Sequence, residues 1–139
     1  MKTCEKGSKF LMLRLLAITL VVAFILSSQA AGASPIYTAS YYTYASCIRE
    51  GTSGIMANGR RLQDHGILTA AMWGVPFGTR VMVRRVGCPE IKPIIVTITD
   101  RGPAKRLVRQ GRIIDLNYEA MHQIDGIKQG VVQVEIQIL

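Results

Sequence analysis

The sequence is poor in residues that hold metal ions or cross-link small domains. It contains two histidines and three cysteines in 139 residues. His65 and His122 lie far apart, and no Cys/His spacing resembles that of a zinc site. These shortages exclude a zinc-stabilised domain and a disulfide-rich scaffold, and we expect neither a metal ion nor an organic cofactor.

The chain also lacks a hydrophobic run long enough to span a membrane. Its longest uncharged apolar run, residues 15–26, is shorter than the roughly 20 residues of a spanning helix. A basic segment precedes it and the small residues of 27–33 follow, which is typical of a secretory signal. We predict a helical signal peptide over 1–33, cut after Ala33 or, as second choice, after Ala30. The alternative is a retained membrane anchor. No cysteine follows the run closely enough to serve as a lipoprotein attachment site.

The predicted mature chain, residues 34–139, is too short for two domains. It keeps 13 of the 17 basic and 8 of the 9 acidic residues, a net charge of +5. A basic exported domain suits an anionic polymer such as teichoic acid or the carboxylates of peptidoglycan. Export, and the lack of RNP-type or helix-turn-helix patterns, argue against a nucleic-acid partner. A membrane is expected as a partner only through the uncleaved signal.

Two cysteines, Cys47 and Cys88, remain after the predicted cleavage. An exported protein can keep a disulfide. The two residues are 41 positions apart (88 − 47), and closing a loop of this size would stabilise the fold by about 4 kcal/mol in the chain-entropy model. We predict this disulfide, with two separate buried thiols as the alternative.

Short runs of β-branched and aromatic residues, separated by turn residues, predict mostly strands. Residues 50–66 are rich in Gly, Ser and Asn and predict a long loop. Asn117 is a suitable N-cap for one short helix over 118–124, with Gly126 as its stop. The pattern predicts an all-β domain with one short helix, built as a small closed barrel. The strand candidates are 36–44, 68–71, 80–86, 94–99, 113–114 and 131–139.

Asp100 is the residue with the best physical case for chemistry. It has the same strand parity as the three apolar residues at 94, 96 and 98, and a turn follows at 101–103. A carboxyl at a barrel rim beside apolar neighbours can act as a general acid. Alternatively, Asp100 caps the following turn through backbone N–H groups. Asp115 is a weaker candidate, since it also fits a structural acid near the start of the predicted helix.

Several motifs together resemble the rare lipoprotein A (RlpA) family, and they cover nearly all of residues 34–139 in order. The resemblance implies a six-stranded double-psi β-barrel that works on septal or envelope peptidoglycan, with glycan strands as partners and envelope or septal proteins as possible further ones. In active members it implies a lytic transglycosylase, which cleaves between N-acetylmuramic acid and N-acetylglucosamine without water and leaves a 1,6-anhydro end. The motifs are Ala39-Ser40-Tyr41-Tyr42, Ala57-Asn58-Gly59, Leu68-Thr69-Ala70-Ala71, Pro76-Phe77-Gly78-Thr79, Thr99-Asp100-Arg101-Gly102-Pro103 and Gly111-Arg112-Ile113-Ile114-Asp115-Leu116.

Asp100 matches the family's active-site aspartate, so the resemblance implies that it is the acid/base. Glycoside hydrolysis normally uses two carboxyls, but here the substrate's own C6 hydroxyl is the nucleophile and one carboxyl can suffice. Asn58, Trp73 and Arg101 are candidates for binding the substrate. The aromatic rings of Trp73 and of the tyrosines at 41, 42 and 44 can stack on sugars, with ordinary packing as the alternative.

Two family positions are replaced. Arg60 stands where the family has a glutamate, and Met72 stands where it has a histidine. Methionine cannot transfer a proton, and Asp64 or His65 are the candidates to compensate. A second hypothesis follows from these replacements: a non-catalytic, expansin-like module that binds or loosens peptidoglycan. Both hypotheses place the protein in the periplasm or the cell wall.

Overall fold

The computed structural model describes residues 34–139, so the predicted signal peptide over 1–33 lies outside the described residues. Ser34–Leu139 form one compact unit. Within this unit, none of the helices is long and apolar enough to cross a membrane. Six strands make up the unit: β1 (Ile36–Tyr42), β2 (Thr69–Met72), β3 (Arg80–Arg85), β4 (Ile94–Asp100), β5 (Arg112–Asn117) and β6 (Val131–Ile138).

The strands close into a barrel in the order β1-β5-β2-β4-β3-β6. β1 pairs with β5, and β2 with β4, in parallel, whereas the other neighbours are antiparallel. Closure leaves none of the six strands with an unpaired edge. Each predicted strand region forms a strand with shifted ends, and the six-stranded closed barrel is confirmed.

Alternating apolar residues fill the barrel, because successive strand side chains point to opposite faces. On β4 the predicted face is confirmed, since Val96 and Ile98 are fully buried. On β6 the predicted face runs from buried Val132 to Ile138, which is 56% exposed at the end of the strand. The largest fully buried apolar side chains are those of Ile98, Ile114, Leu116, Met121, Ile124, Val81, Val83, Val96 and Val134.

Residues 34–139 contain three short helices where the sequence predicted one for this domain: α1 (Tyr44–Arg49), α2 (Lys105–Val108) and α3 (Tyr118–Gln123). The strand predicted over 36–44 ends early because Thr43 starts α1. The Thr43 hydroxyl accepts from the Ser46 N–H at 3.0 Å, and the Ser46 hydroxyl accepts from the Thr43 N–H at 2.9 Å. Serine stands where this motif usually has Glu or Gln, so the pattern was missed. α2 has no side-chain cap to predict it by.

The predicted helix after Asn117 is confirmed. The Asn117 side chain caps α3 by accepting from the Ala120 N–H at 3.2 Å. Gly126 was expected to end the helix by adopting the left-handed backbone conformation, and this expectation is wrong. Asp125, with φ 52°, takes the left-handed position. Gly126 is needed for space instead, because a Cβ there would collide with the sulfur of Met121.

The predicted loop over 50–66 is confirmed as irregular apart from one bridge between Ile55 and Arg61. We call residues 50–67 the covering loop, because they lie against the outside of the barrel. One backbone hydrogen bond of 3.2 Å, from the Asn58 N–H to the Thr99 carbonyl, joins the loop to β4, and another of 2.9 Å, from the Glu119 N–H to the Asp64 carbonyl, joins it to α3. The Asn117 amide also donates to the carbonyls of Gln63 at 3.0 Å and Ile67 at 2.8 Å. These hydrogen bonds hold the covering loop against the barrel.

Candidate active site

A cleft of about 310 Å³ lies between the covering loop and the barrel. β1, β5, β2 and the end of β4 contribute one wall, and α1 and the covering loop contribute the other. The cleft brings together a phenol, a thiol and three carboxyls, those of Asp100 and Asp115 on the barrel and that of Glu50 at the end of α1. Its principal lining side chains are those of Tyr42, Cys47, Met56, Leu62, Ala71, Asp100, Arg101 and Asp115.

Asp100 is the last residue of β4. Its side chain is half-buried and lines this cleft, as its shared strand parity with the apolar residues of β4 predicts. One carboxylate oxygen, Oδ1, accepts from the Arg101 N–H and from the Ala57 N–H, each at 2.8 Å. The bond to Arg101 is the turn contact given above as the alternative. The bond to Ala57 crosses to the covering loop and therefore sets the width of the cleft. Oδ2 makes no such bond to the described residues.

Asp115 lies in β5, two residues before Asn117, the N-cap of α3. Its carboxyl is half-buried in the cleft and accepts a hydrogen bond from the Ser40 hydroxyl. Burial raises the pKa of Asp115 above its ordinary value of 3.8. The Ser40 bond and the charge of Arg112 lower it, and the charges of Glu50 and Asp100 raise it. Asp115 is thus the cleft carboxyl whose surroundings favour retention of a proton.

The two carboxyls are neighbours because β2 lies between their strands. Ala71 pairs with Asp100 on one side and with Asp115 on the other. Adjacent strands lie about 4.8 Å apart, so the two Cα atoms are about 10 Å apart. A Cβ on Gly102 would lie 3.3 Å from the Ala71 Cβ and 3.5 Å from Asp115 Oδ2. Small residues therefore keep the space between the carboxyls clear.

Tyr42 contributes a phenol to the same cleft. Its pKa is raised strongly, first by burial and then by the charges of Asp100, Cys47 and Asp115. The phenolic oxygen is buried near the Asp100 carboxyl, yet no described residue gives it a hydrogen bond of normal geometry. The phenol remains protonated and can donate to a ligand. The sequence pointed to Tyr42 only for stacking. The alternation that places Ser40 and Tyr42 on one side of β1 is the pattern that could have identified it.

The predicted disulfide is not present, since Cys47 and Cys88 are free thiols. Cys47 belongs to α1 and lines the cleft. Cys88 lies in the connection from β3 to β4, which is at the end of that hairpin away from Asp100. The fold therefore places the two residues on separate elements. Burial raises the pKa of the Cys47 thiol, and a hydrogen bond with Thr52 lowers it.

None of the residues considered for the two replaced family positions lines the cleft. Arg60 lies on the far side of the covering loop, and Met72 packs against the core. Asp64 Oδ1 accepts from the Tyr44 N–H at 2.8 Å. His65 lies 3.5 Å from a carboxylate oxygen of Glu119 and is 73% exposed. Asp64 and His65 therefore do not take over the missing groups.

The three predicted substrate-binding residues have different surroundings. Asn58 accepts from the Arg60 N–H at 3.0 Å, so its side chain shapes the covering loop. Arg101 lines the cleft, donates to the Met72 carbonyl at 3.1 Å and stacks 3.7 Å from the centre of the Phe77 ring. Trp73 is 42% exposed, and its indole N–H donates to the Pro103 carbonyl at 2.7 Å. Arg101 and Trp73 therefore lie in or beside the cleft.

Groups of three or more His, Cys, Asp and Glu side chains that could hold a metal ion are absent from residues 34–139. The side chains that line the cleft include groups that can accept or donate a proton, among them Asp100, Asp115 and Tyr42.

The strand order, the closure and the outer cleft define a double-psi β-barrel. A solved structure, that of a Streptomyces papain inhibitor, has this fold. Its TM-score is 0.51 at 21% identity, covering 76% of this chain and 94% of that chain. At this identity the likeness concerns the fold alone.

The chain belongs to the RlpA-like family of double-psi β-barrels, whose family model, described as lytic transglycolase, matches residues 29–136. A Nostoc sp. protein named probable endolytic peptidoglycan transglycosylase RlpA is 39% identical over 83 residues, which are 60% of this chain and 20% of that protein. A protein of the same name from Aquifex aeolicus is 34% identical over 83 residues, which are 60% of this chain and 34% of that protein. This chain thus spans about a fifth to a third of the length of these curated relatives. An uncharacterized protein of Synechocystis sp. is 39% identical over 83 residues, covering 58% of this chain and 78% of that protein.

Proposed function

We propose that this chain is an exported envelope protein that cleaves the glycan strands of peptidoglycan as a lytic transglycosylase. The observation that carries the proposal is the pair of carboxyls, Asp100 and Asp115, on either side of Ala71 in one cleft. The names of the relatives from Nostoc sp. and Aquifex aeolicus support the same class of reaction.

The reaction needs one proton acceptor and one proton donor. The C6 hydroxyl oxygen of the muramic residue forms a bond to C1 of the same sugar, and the bond from C1 to the leaving oxygen breaks. The hydroxyl proton goes to a base, and the leaving oxygen takes a proton from an acid. No water is consumed. Because the nucleophile belongs to the substrate, its effective concentration is high and no carboxylate has to attack C1.

We assign these roles from the surroundings of the two carboxyls. Asp115, whose pKa is raised by burial, is the acid that protonates the leaving oxygen. Asp100, whose Oδ1 accepts two backbone N–H bonds, is the base, and its negative charge stabilises the positive charge that develops at C1. This replaces the single acid/base expected at Asp100 by a pair. The Tyr42 phenol then donates to a substrate oxygen, and Arg101 and Trp73 border the bound glycan.

A non-catalytic, expansin-like wall-binding module is the second candidate. It is supported by Arg60 and Met72, which replace the glutamate and histidine that the family resemblance implies at these two positions and do not line the cleft. A basic domain would bind an anionic wall in either case.

The test uses purified residues 34–139, which contain the whole barrel and its core. The parent and Asp100→Asn are incubated with purified peptidoglycan sacculi, and soluble products are identified by mass spectrometry. We expect 1,6-anhydro-muramic ends from the parent and a loss of at least about 100-fold in Asp100→Asn, because a positioned proton-transfer group contributes that much. Asp125→Asn, on an exposed residue outside the cleft, is the matched control and should act like the parent.

Anhydro ends released equally by Asp100→Asn would contradict the assignment of the base. Absence of product from the parent, with the protein sedimenting with the sacculi, would favour the wall-binding module.

Export by the segment 1–33 is part of the proposal. The mass of the protein recovered from the envelope of a producing cell should correspond to a chain that starts at Ser34 or, for the second cleavage site, at Ala31. Recovery of the uncut chain in membranes would indicate a retained anchor.

A further inference from the structure

Trp73, the single tryptophan of the sequence, lies at the surface at one end of the barrel. It is the first residue after β2 and follows Ala71 by two positions. Ala71 pairs with both Asp100 and Asp115. Two positions of extended chain span at most about 7 Å, so the backbone of Trp73 is close to the end of the cleft that holds the two carboxyls.

Two hydrogen bonds hold Trp73 against the turn that follows Asp100. The indole N–H donates to the Pro103 carbonyl at 2.7 Å, and the Arg101 guanidinium donates to the carbonyl of Met72, the preceding residue, at 3.1 Å. Arg101 and Pro103 both line the cleft. The ring is therefore fixed at the edge of the cleft, although 42% of the side chain is exposed.

The accessible ring of Trp73 differs from the neighbouring ring of Phe77, although both side chains are 42% exposed. The Arg101 guanidinium lies 3.7 Å from the centre of the Phe77 ring, which is a stacking contact. The Lys105 ammonium lies 5.4 Å from the centre of the Trp73 ring, and its side chain is exposed. Because a lysine stem is flexible, a flat ligand can lie on the indole while the ammonium stays beside it.

We propose that the Trp73 ring is a sugar-binding subsite outside the cleavage site, on which a further sugar of the glycan strand stacks. The C–H face of a pyranose is apolar and matches an aromatic ring, and the oxygens at its edge can accept from the Lys105 ammonium. Continuity with the cleft identifies the occupant, because a strand that lies at Asp100 and leaves past Pro103 meets the indole next.

The inference rests on the proposed function and specifies its substrate as a strand longer than the sugars held in the cleft. A contact far from the bond that breaks is equally strong before and during the reaction. It therefore tightens binding and lowers KM without changing kcat. A fixed aromatic ring loses little conformational freedom on binding, so its contact area is favourable for affinity.

The lone tryptophan reports directly on this subsite by its fluorescence. Residues 34–139 with Asp100→Asn, which should bind without cleaving, are titrated with glycan strands of peptidoglycan made soluble by an amidase. A second titration uses the disaccharide that contains only the bond to be cleaved. We expect the long strands to shift the Trp73 emission to shorter wavelength, because the ring loses water, and to bind about tenfold more tightly than the disaccharide.

Variants in the Asp100→Asn background are compared by titration calorimetry. Adding Trp73→Ala should weaken binding of the long strands about tenfold and leave binding of the disaccharide unchanged. Adding Trp73→Phe should keep most of the affinity, because a ring remains although the bond to Pro103 is lost. Adding Ile36→Ala is the matched control and should have no effect. It removes a 55% exposed apolar side chain at the start of β1, the strand whose other end lines the cleft.

Unchanged emission at saturation with long strands would overturn the proposal, and the exposed indole would then suit a protein partner. Equal weakening of strand and disaccharide binding by Trp73→Ala would also overturn it, as would a Trp73→Phe variant as weak as Trp73→Ala. In both cases Trp73 would act through its bond to Pro103. Lack of cleavage by the parent would count against the proposed function, whereas the subsite is read from binding alone.

Discussion

Asp115 and Asn117 lie two residues apart on β5 with the same strand parity, yet their surroundings are opposite. Asn117 is fully buried, and its side chain makes four hydrogen bonds, to the N–H groups of Thr69 and Ala120 and to the carbonyls of Gln63 and Ile67. Asp115 accepts one hydrogen bond from Ser40, and burial raises its pKa.

The number of hydrogen bonds distinguishes Asn117, which has a structural role, from Asp115, whose carboxyl is available for chemistry. Every polar atom of Asn117 is satisfied by the protein, so it joins β2, α3 and the covering loop into one unit. Asp115 faces a cleft that also contains the unsatisfied phenol of Tyr42. Partly satisfied polar groups cost stability, and here they lie where a substrate could complete them.

The largest effect that we expect is a loss of activity on substitution of Asp115, the residue of this pair that we place in the mechanism. Asp115→Asn removes the proposed proton donor, so we expect release of anhydro ends to fall by about 100-fold or more. Its melting temperature at pH 7 should not fall, because an amide oxygen still accepts from Ser40. The measurement is product release from sacculi, together with a melting curve. Full activity in Asp115→Asn would remove Asp115 from the mechanism.

Asn117→Ala should have the largest effect on stability. It leaves buried N–H and carbonyl groups on three elements without partners, and we expect a loss of about 3–5 kcal/mol in the free energy of unfolding. Asn58→Ala, which removes one exposed loop bond to Arg60, should cost no more than about 1 kcal/mol. Denaturant unfolding measures both. Similar losses would show that the four bonds of Asn117 do not act as an anchor.

Tyr42→Phe is a smaller test of the cleft. The substitution removes a hydroxyl that the protein itself does not satisfy, so stability should be unchanged or slightly higher. Product release should fall by about tenfold if the phenol donates to the substrate. A drop in melting temperature with unchanged activity would instead make the hydroxyl a structural group.

The smallest effect that we expect is a change with pH in the stability of Asp115→Asn relative to the parent. A carboxyl with a raised pKa binds its proton more tightly in the folded chain, so its contribution is favourable at low pH. That contribution is lost as the pH rises through the raised pKa. We therefore expect Asp115→Asn to gain stability relative to the parent between a pH near 3.8 and pH 7. Melting curves at both pH values check this. A difference that does not vary with pH would contradict the burial of Asp115.

The sequence by itself determined the strands, the closed barrel class and the cap of α3. Alternation along β4 and β6 is a local property, because neighbouring side chains of a strand must point to opposite faces. The same alternation placed Asp100 correctly at the end of β4. The motifs around it also pointed to the family that the comparison then showed.

Only the tertiary structure decided which residues share a site. Asp115 reaches Asp100 because β5 and β4 both pair with β2, and Tyr42 joins them because β1 runs parallel to β5. These pairings join residues that are distant in the chain, and alternation within one strand carries no information about the neighbouring strand. The same holds for the free thiols, which the fold places on separate elements.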